Sequence, residues 1–305
     1  MNPQLFTFLW LFFSVSSQLS GQERVAYVGG SDWRKVHPTH NFKEVKNVAF
    51  ELDGGIILVE ATLNQSVQTF ILDSGAPGLI LNNFEKKGKK ELMTGINGTT
   101  EAYAVTVEDF SWAGIVYTNL EAISMDLSHL ESMTKRKISG LIGYELLKDF
   151  ELLLDYKAQA IQIKSVGVTS THATAPLTSF PLSFENHLPV IDVVINKEKL
   201  RLGLDTGAEI NVLDDRLSSR IAKVTSRPES YHGIYGVGEQ SQSAQLVKVA
   251  VTRVQRAAYR QMNYVLTDFS SITSDIDIDG ILGYPFLSSC KFSIDFKTRQ
   301  LHVWP

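Results

Sequence analysis

Phe70-Ile-Leu-Asp-Ser-Gly-Ala76 recurs as Leu202-Gly-Leu-Asp-Thr-Gly-Ala208, 132 residues further along the chain. The match extends upstream without a gap, laying Val59-Glu-Ala-Thr-Leu-Asn64 over Ile191-Asp-Val-Val-Ile-Asn196. Downstream, each copy returns to a mainly apolar run, Leu79-Ile-Leu81 and Asn211-Val-Leu213. Thr94-Gly-Ile-Asn-Gly98 then matches His232-Gly-Ile-Tyr-Gly236 at an offset of 138, and Ile138-Ser-Gly-Leu-Ile-Gly-Tyr144 matches Ile278-Asp-Gly-Ile-Leu-Gly-Tyr284 at an offset of 140. Landmarks kept in one order, with small insertions of the kind loops accept between them, indicate duplication of a unit of about 120–130 residues.

Within each copy, short β-branched and aromatic runs alternate with Asn, Gly, Asp and Lys turns. In the first they are Ile56 to Leu63, Thr69 to Leu72, Ala104 to Val107, Leu152 to Asp155 and Ala160 to Ile163. This spacing predicts antiparallel strands rather than helices. Helices are expected only just after Tyr144, just after Tyr284 and near Asp126 to Met133. The fold class is therefore all-β, with two homologous barrel-like lobes in one chain and few short helices. The expected limits are a first lobe over 46–165, a linker over 166–176 where Gly, Ser, Thr and Pro collect, and a second lobe over 177–305.

One Asp-Ser-Gly is weak evidence, because Asp and Gly are common in turns. Two copies at matched positions between apolar strands, Asp73-Ser-Gly75 and Asp205-Thr-Gly207, point to a pair of buried turns. Glycine lets each turn fold back and bring N–H groups close to the carboxylate, and the hydroxyl of Ser74 or Thr206 is placed to bond across to the other lobe. If a pseudo-twofold axis brings the turns face to face, the two acids cannot both ionise cheaply and share one proton over an intermediate pH range. One then takes a proton from water while the other donates to a carbonyl oxygen, hydrolysing an amide without metal or covalent intermediate.

These residues resemble the retropepsin-like aspartic peptidases, in a fused two-copy form similar in plan to pepsin and to exported bacterial aspartyl proteases. The resemblance covers most of residues 46–305. It implies that Asp73 and Asp205 are the catalytic pair, supported by Ser74, Gly75, Thr206 and Gly207. It also implies that Leu141-Ile-Gly143 and Ile281-Leu-Gly283 pass beside the catalytic turns, Gly143 and Gly283 allowing close packing. Mobile hairpins over the cleft are implied near Gly95 to Gly98 and Gly233 to Gly238, with Gly95, Gly98, Tyr235 and Gly236 beside substrate. Ser74 replaces the commoner Thr, Pro77 follows the first Ala, and Asn97 stands where the second copy has Tyr235, so the halves need not contribute equally.

The rest of the chain narrows the alternatives. A formal net charge of -4 gives no basic excess for nucleic acid. Leu5 to Val15 is an apolar run broken by Thr7 and Ser14 and followed by small and polar residues, which reads as a signal peptide over 1–21 and predicts export to a periplasmic or extracellular space. The run is shorter than the ~20 residues that span a bilayer, so no stable membrane insertion is expected once it is removed. Residues 22–45 form a lead-in of open role. Cys290 is the sole cysteine, which excludes an intramolecular disulfide. No His-Glu-x-x-His or Gly-x-Ser-x-Gly motif occurs, and no metal or cofactor is called for. Symmetry reads Asp279, opposite Ser139, as a turn residue, and Asp155 and Asp295 as hairpin residues. A peptide or protein is the expected partner, and a fused pair is expected to act as a monomer with pseudo-twofold symmetry. The alternative is a non-catalytic module that holds a peptide in the same cleft.

Overall fold

The computed structural model describes residues 7–8, 14–16, 38, 45–95, 98–165, 175–221, 229–235, 242–270 and 276–305. In each half, six strands pair in a closed circuit. The first runs Ile56–Leu63, Ser66–Leu72, Gly140–Ile142, Leu79–Asn82, Ile115–Met125 and Gly98–Trp112, and closes where Thr62 faces Ser111 and Leu63 faces Phe110. The second runs Leu188–Ile195, Glu198–Leu204, Gly280–Leu282, Asn211–Asp214, Ala257–Thr267 and Gln242–Val254, and closes where Val194 faces Arg253 and Ile195 faces Thr252. The two homologous β-barrel lobes expected from the duplication are present.

Local chemistry explains the matching hairpins. Asn64 and Gln65 both have positive φ (44° and 66°), as do Asn196 and Lys197 (50° and 68°). Two such residues in a row form the tight turn whose twist suits paired strands, and Asn tolerates that conformation. Among the described residues the α-helices are Ser128–Thr134, Tyr144–Leu147, Ser218–Ile221 and Tyr284–Leu287. Three of them lie where the sequence placed them. Ser218–Ile221 was not foreseen.

Pairing is not wholly antiparallel, which corrects the expectation. Gly140–Ile142 lies between the strands that flank the Asp73 turn, parallel to Ser66–Leu72 and antiparallel to Leu79–Asn82. Gly280–Leu282 does the same around Asp205. The flanking strands diverge at the turn, and the inserted strand satisfies the backbone groups they would otherwise bury unpaired.

A third sheet joins the halves. Its order is Thr178–Pro181, Gln300–Trp304, Lys291–Asp295, Phe150–Asp155, Ala160–Ser165 and Val45–Ala49, so three strands of each half meet where Leu152 faces Ile294. Across this seam buried Glu151 accepts from Ser293 Oγ at 2.6 Å, and Ser293 Oγ accepts from Trp304 Nε1 at 3.0 Å. One continuous core runs through both lobes and this sheet. Each lobe adds a smaller core behind its Asp turn, built from matched residues such as Leu58 and Val190, Ala76 and Ala208, Ile80 and Val212, and Leu141 and Ile281.

Two short strands near the N-terminus lie against the lobes. Ser14–Ser16 pairs antiparallel with Leu92–Thr94, and Thr7–Phe8 pairs parallel with Ile234–Tyr235. No helix among the described residues is long and apolar enough to cross a membrane.

Candidate active site

Asp73 ends the buried run Phe70-Ile-Leu72, and Asp205 ends the strand Glu198–Leu204; both acids are fully buried. The inserted strands fix their main chains, Asp73 N donating to Ile142 O at 3.0 Å and Asp205 N to Leu282 O at 3.1 Å. Gly143 and Gly283 follow those strands. A Cβ on Gly143 would lie 2.4 Å from Ala76 O, and one on Gly283 2.5 Å from Ala208 O, so only glycine admits this approach to the turns.

The turns are locked to each other by crossed hydrogen bonds. Ser74 N donates to Thr206 Oγ1 at 2.9 Å, and Thr206 N donates to Ser74 Oγ at 3.0 Å. Ser74 Oγ donates on to Leu204 O at 3.0 Å, and Thr206 Oγ1 to Leu72 O at 2.8 Å. Each hydroxyl therefore accepts from the opposite backbone and donates to it, which sets the distance between the acids. Gly75 and Gly207 complete the fit: a Cβ would lie 2.8 Å from Asp205 Cγ in the first case and 2.6 Å from Asp73 Cγ in the second.

The two carboxyl groups are within hydrogen-bonding reach of each other. Asp73 Oδ1 accepts from Gly75 N at 2.8 Å and Ala76 N at 3.0 Å, and Asp205 Oδ1 from Gly207 N at 2.8 Å. Written as two carboxylates, both buried Oδ2 atoms lack a donor. A single proton between them turns one acid into a donor and satisfies both. Burial is the main force on each group. It pushes Asp73 up to about 7, against the lowering pull of Asp205 and of the Gly75 and Ala76 N–H groups. Asp205 is raised well above the ordinary carboxylate range by burial and then by the charge of Asp73.

The aspartyl protease family matches this chain twice, at residues 59–146 and again at 191–286. The chain belongs to that family. Both matched regions contain an Asp turn and its inserted strand, and membership carries a protease-type function in general. No curated protein matches the chain.

The other site residues named from the sequence fall as follows. Gly95 faces Gly98 at the end of the hairpin formed by Lys90–Gly95 and Gly98–Trp112. Tyr235 ends the strand Glu229–Tyr235, and Gly236 lies outside the described residues. Asp155 and Asp295 are hairpin residues, accepting from Ala158 N at 2.9 Å and Thr298 N at 2.8 Å. Asp279 Oδ2 accepts from Arg201 N at 2.9 Å, away from the dyad. Cys290 is a free, half-buried thiol that burial pushes up, so it is not activated as a nucleophile. Among the described residues no three His, Cys, Asp or Glu side chains gather as metal ligands.

Two residues beside the dyad were missed. Asn211, wholly buried, accepts from Gly283 N at 3.0 Å and donates to Asn263 O at 3.0 Å; its polarity within the run Asn211-Val-Leu213 was the available signal. His187 reaches across the lobes, its Nε2 2.8 Å from Gly75 O. It stands 132 residues after Gly55, so the repeat itself marked it as a difference between the copies.

Proposed function

We propose that the chain is an aspartic endopeptidase in which Asp73 and Asp205 share one proton and hydrolyse a peptide bond through a water between them. The observation that carries this reading is the pair of buried Oδ2 atoms, left without donors by crossed hydrogen bonds that hold the acids together. The Ala76 N–H is shared between Asp73 Oδ1 at 3.0 Å and the main-chain oxygen of Asp73 at 3.2 Å, whereas Ala208 N bonds the main-chain oxygen of Asp205 at 3.4 Å. Asp73 is accordingly the anion and Asp205 the acid. Asp73 removes a proton from water as its oxygen attacks the carbonyl carbon, while Asp205 gives its proton to the carbonyl oxygen. In the second step Asp73 passes its proton to the amide nitrogen, Asp205 recovers one from the diol, and the C–N bond breaks. The resting protonation is restored.

An extended peptide fits the surroundings. The strands Lys90–Gly95 and Glu229–Tyr235 pair with short segments of this same chain along one edge each, so those edges are competent to hold a peptide backbone. Export remains part of the proposal on the sequence of residues 1–21. The test is cleavage of an extended peptide library by wild type, Asp73→Asn and Asp205→Asn, followed by mass spectrometry at several pH values. Each substitution is expected to abolish cleavage, and a statine-type transition-state mimic to block the wild type. Near-normal turnover in either variant removes that Asp from the mechanism, and binding without cleavage by the wild type would favour a peptide-holding module.

A further inference from the structure

His187 lies in the second lobe, between the strands Ser183–Glu185 and Leu188–Ile195, yet its Nε2 contacts Gly75 in the catalytic turn of the first lobe. A carbonyl oxygen only accepts, so Nε2 carries the hydrogen in this contact. The Gly75 carbonyl belongs to the same peptide unit as the Ala76 N–H, which lies 3.0 Å from Asp73 Oδ1. A continuous chain thus runs from the His187 ring through one peptide to the Asp73 carboxylate. A peptide that accepts at its oxygen is polarised toward donation at its nitrogen, and it is also held in one orientation.

The duplicate turn lacks this arrangement. Gly55 occupies the place of His187 in the repeat, with φ of 107° and with Tyr284 filling the space where a side chain would begin: a Cβ there would lie 2.8 Å from the ring. On that side the Ala208 N–H bonds the main-chain oxygen of Asp205 at 3.4 Å, while the Ala76 N–H bonds both the main-chain oxygen of Asp73, at 3.2 Å, and its carboxylate. The histidine and the carboxylate contact of the Ala N–H occur together, on one side of the pseudo-twofold axis.

We propose that His187 is a positioning residue that holds the Gly75–Ala76 peptide with its N–H on Asp73, and so makes Asp73 the carboxylate that takes the proton from the attacking water. The proposal rests on the paired-Asp reading above. His187 acts through the peptide and touches no reacting atom, so its loss changes turnover rather than substrate binding.

Three variants of the full chain test this on one extended peptide substrate. His187→Gln keeps an amide N–H at about the reach of Nε2, His187→Asn is polar but too short, and His187→Leu fills the space without a donor. Loss of one such hydrogen bond is expected to lower kcat about tenfold in the Leu and Asn variants, with KM within about twofold. The Gln variant is expected to keep kcat within about threefold of wild type. Circular dichroism and thermal midpoints confirm folding, and the Asn and Gln pair decides the matter if the Leu variant does not fold. Unchanged kcat in the Asn variant, a Gln variant as impaired as Asn, or a rise in KM alone would each overturn the proposal. Asp73→Asn and Asp205→Asn are assayed alongside. If they retain turnover, the paired-Asp reading has failed; if they lose it while His187→Asn does not, only the role of His187 has failed.

Discussion

Replacing Thr206 with Val probes the junction between the lobes at a single oxygen. Thr206 Oγ1 accepts from Ser74 N at 2.9 Å and donates to Leu72 O at 2.8 Å. Val keeps the branched shape but makes neither bond, which leaves a buried N–H and a buried C=O without partners. Each stranded group costs about 1–3 kcal/mol, so Thr206→Val is expected to lose about 2–6 kcal/mol. Thr206→Ser is the control: it keeps the hydroxyl and removes one buried methyl, worth about 1 kcal/mol. The shared sheet and continuous core also join the lobes, so the Val variant is expected to fold and its loss to appear as a lower urea midpoint with an unchanged slope. Ser74→Ala strands Thr206 N and Leu204 O in the same way. Combining it with Thr206→Val should cost less than the sum, because each hydroxyl bonds to the backbone of the other turn. Peptide cleavage should fall in Thr206→Val and persist in Thr206→Ser. Equal stability and equal turnover in the Val and Ser variants would mean that the crossed hydroxyls do not set the distance between the acids.

Further outcomes follow from the same structure. The dyad acids titrate higher in the folded protein than in the unfolded chain, so they favour folding most at low pH, and that contribution is lost as pH rises from about 4 through about 7. The doubly substituted Asp73→Asn/Asp205→Asn protein does not titrate there and should gain on wild type across that window, by about 4 kcal/mol from Asp73 alone; denaturant melts at matched pH values showing a constant difference would contradict this. Ser293→Ala should cost about 1–3 kcal/mol, since it strands Trp304 Nε1 and one oxygen of Glu151 at the seam between the halves. A melt unchanged from wild type would show that this seam contributes nothing.

Much of the fold was legible because duplication repeats local rules. Ile56–Leu63 is a β-branched and apolar run bounded by Gly55 and the turn Asn64-Gln65, and that turn recurs as Asn196-Lys197 with the same backbone conformation. The Asp73 and Asp205 turns were visible because both carry the same small residues between apolar strands. The parallel pairing of Gly140–Ile142 was not, because strand direction depends on where a distant segment inserts. The shared six-stranded sheet was hidden for a related reason: its strands look like ordinary ends of each copy. Asn211 read as part of an apolar strand because its need for a partner, the Gly283 N–H, arises 72 residues away.

The amino-acid sequence by itself determined that the protein is a doubled β unit with an acid on a tight turn in each copy, since strands, turns and repeats are set by neighbours along the chain. Only the tertiary structure decided that the two acids lie within reach of each other, that Ser74 and Thr206 bond across to hold them there, and that His187 touches the opposite turn. Those features depend on contacts between unlike copies more than a hundred residues apart, and a repeat records what its copies share rather than how they meet.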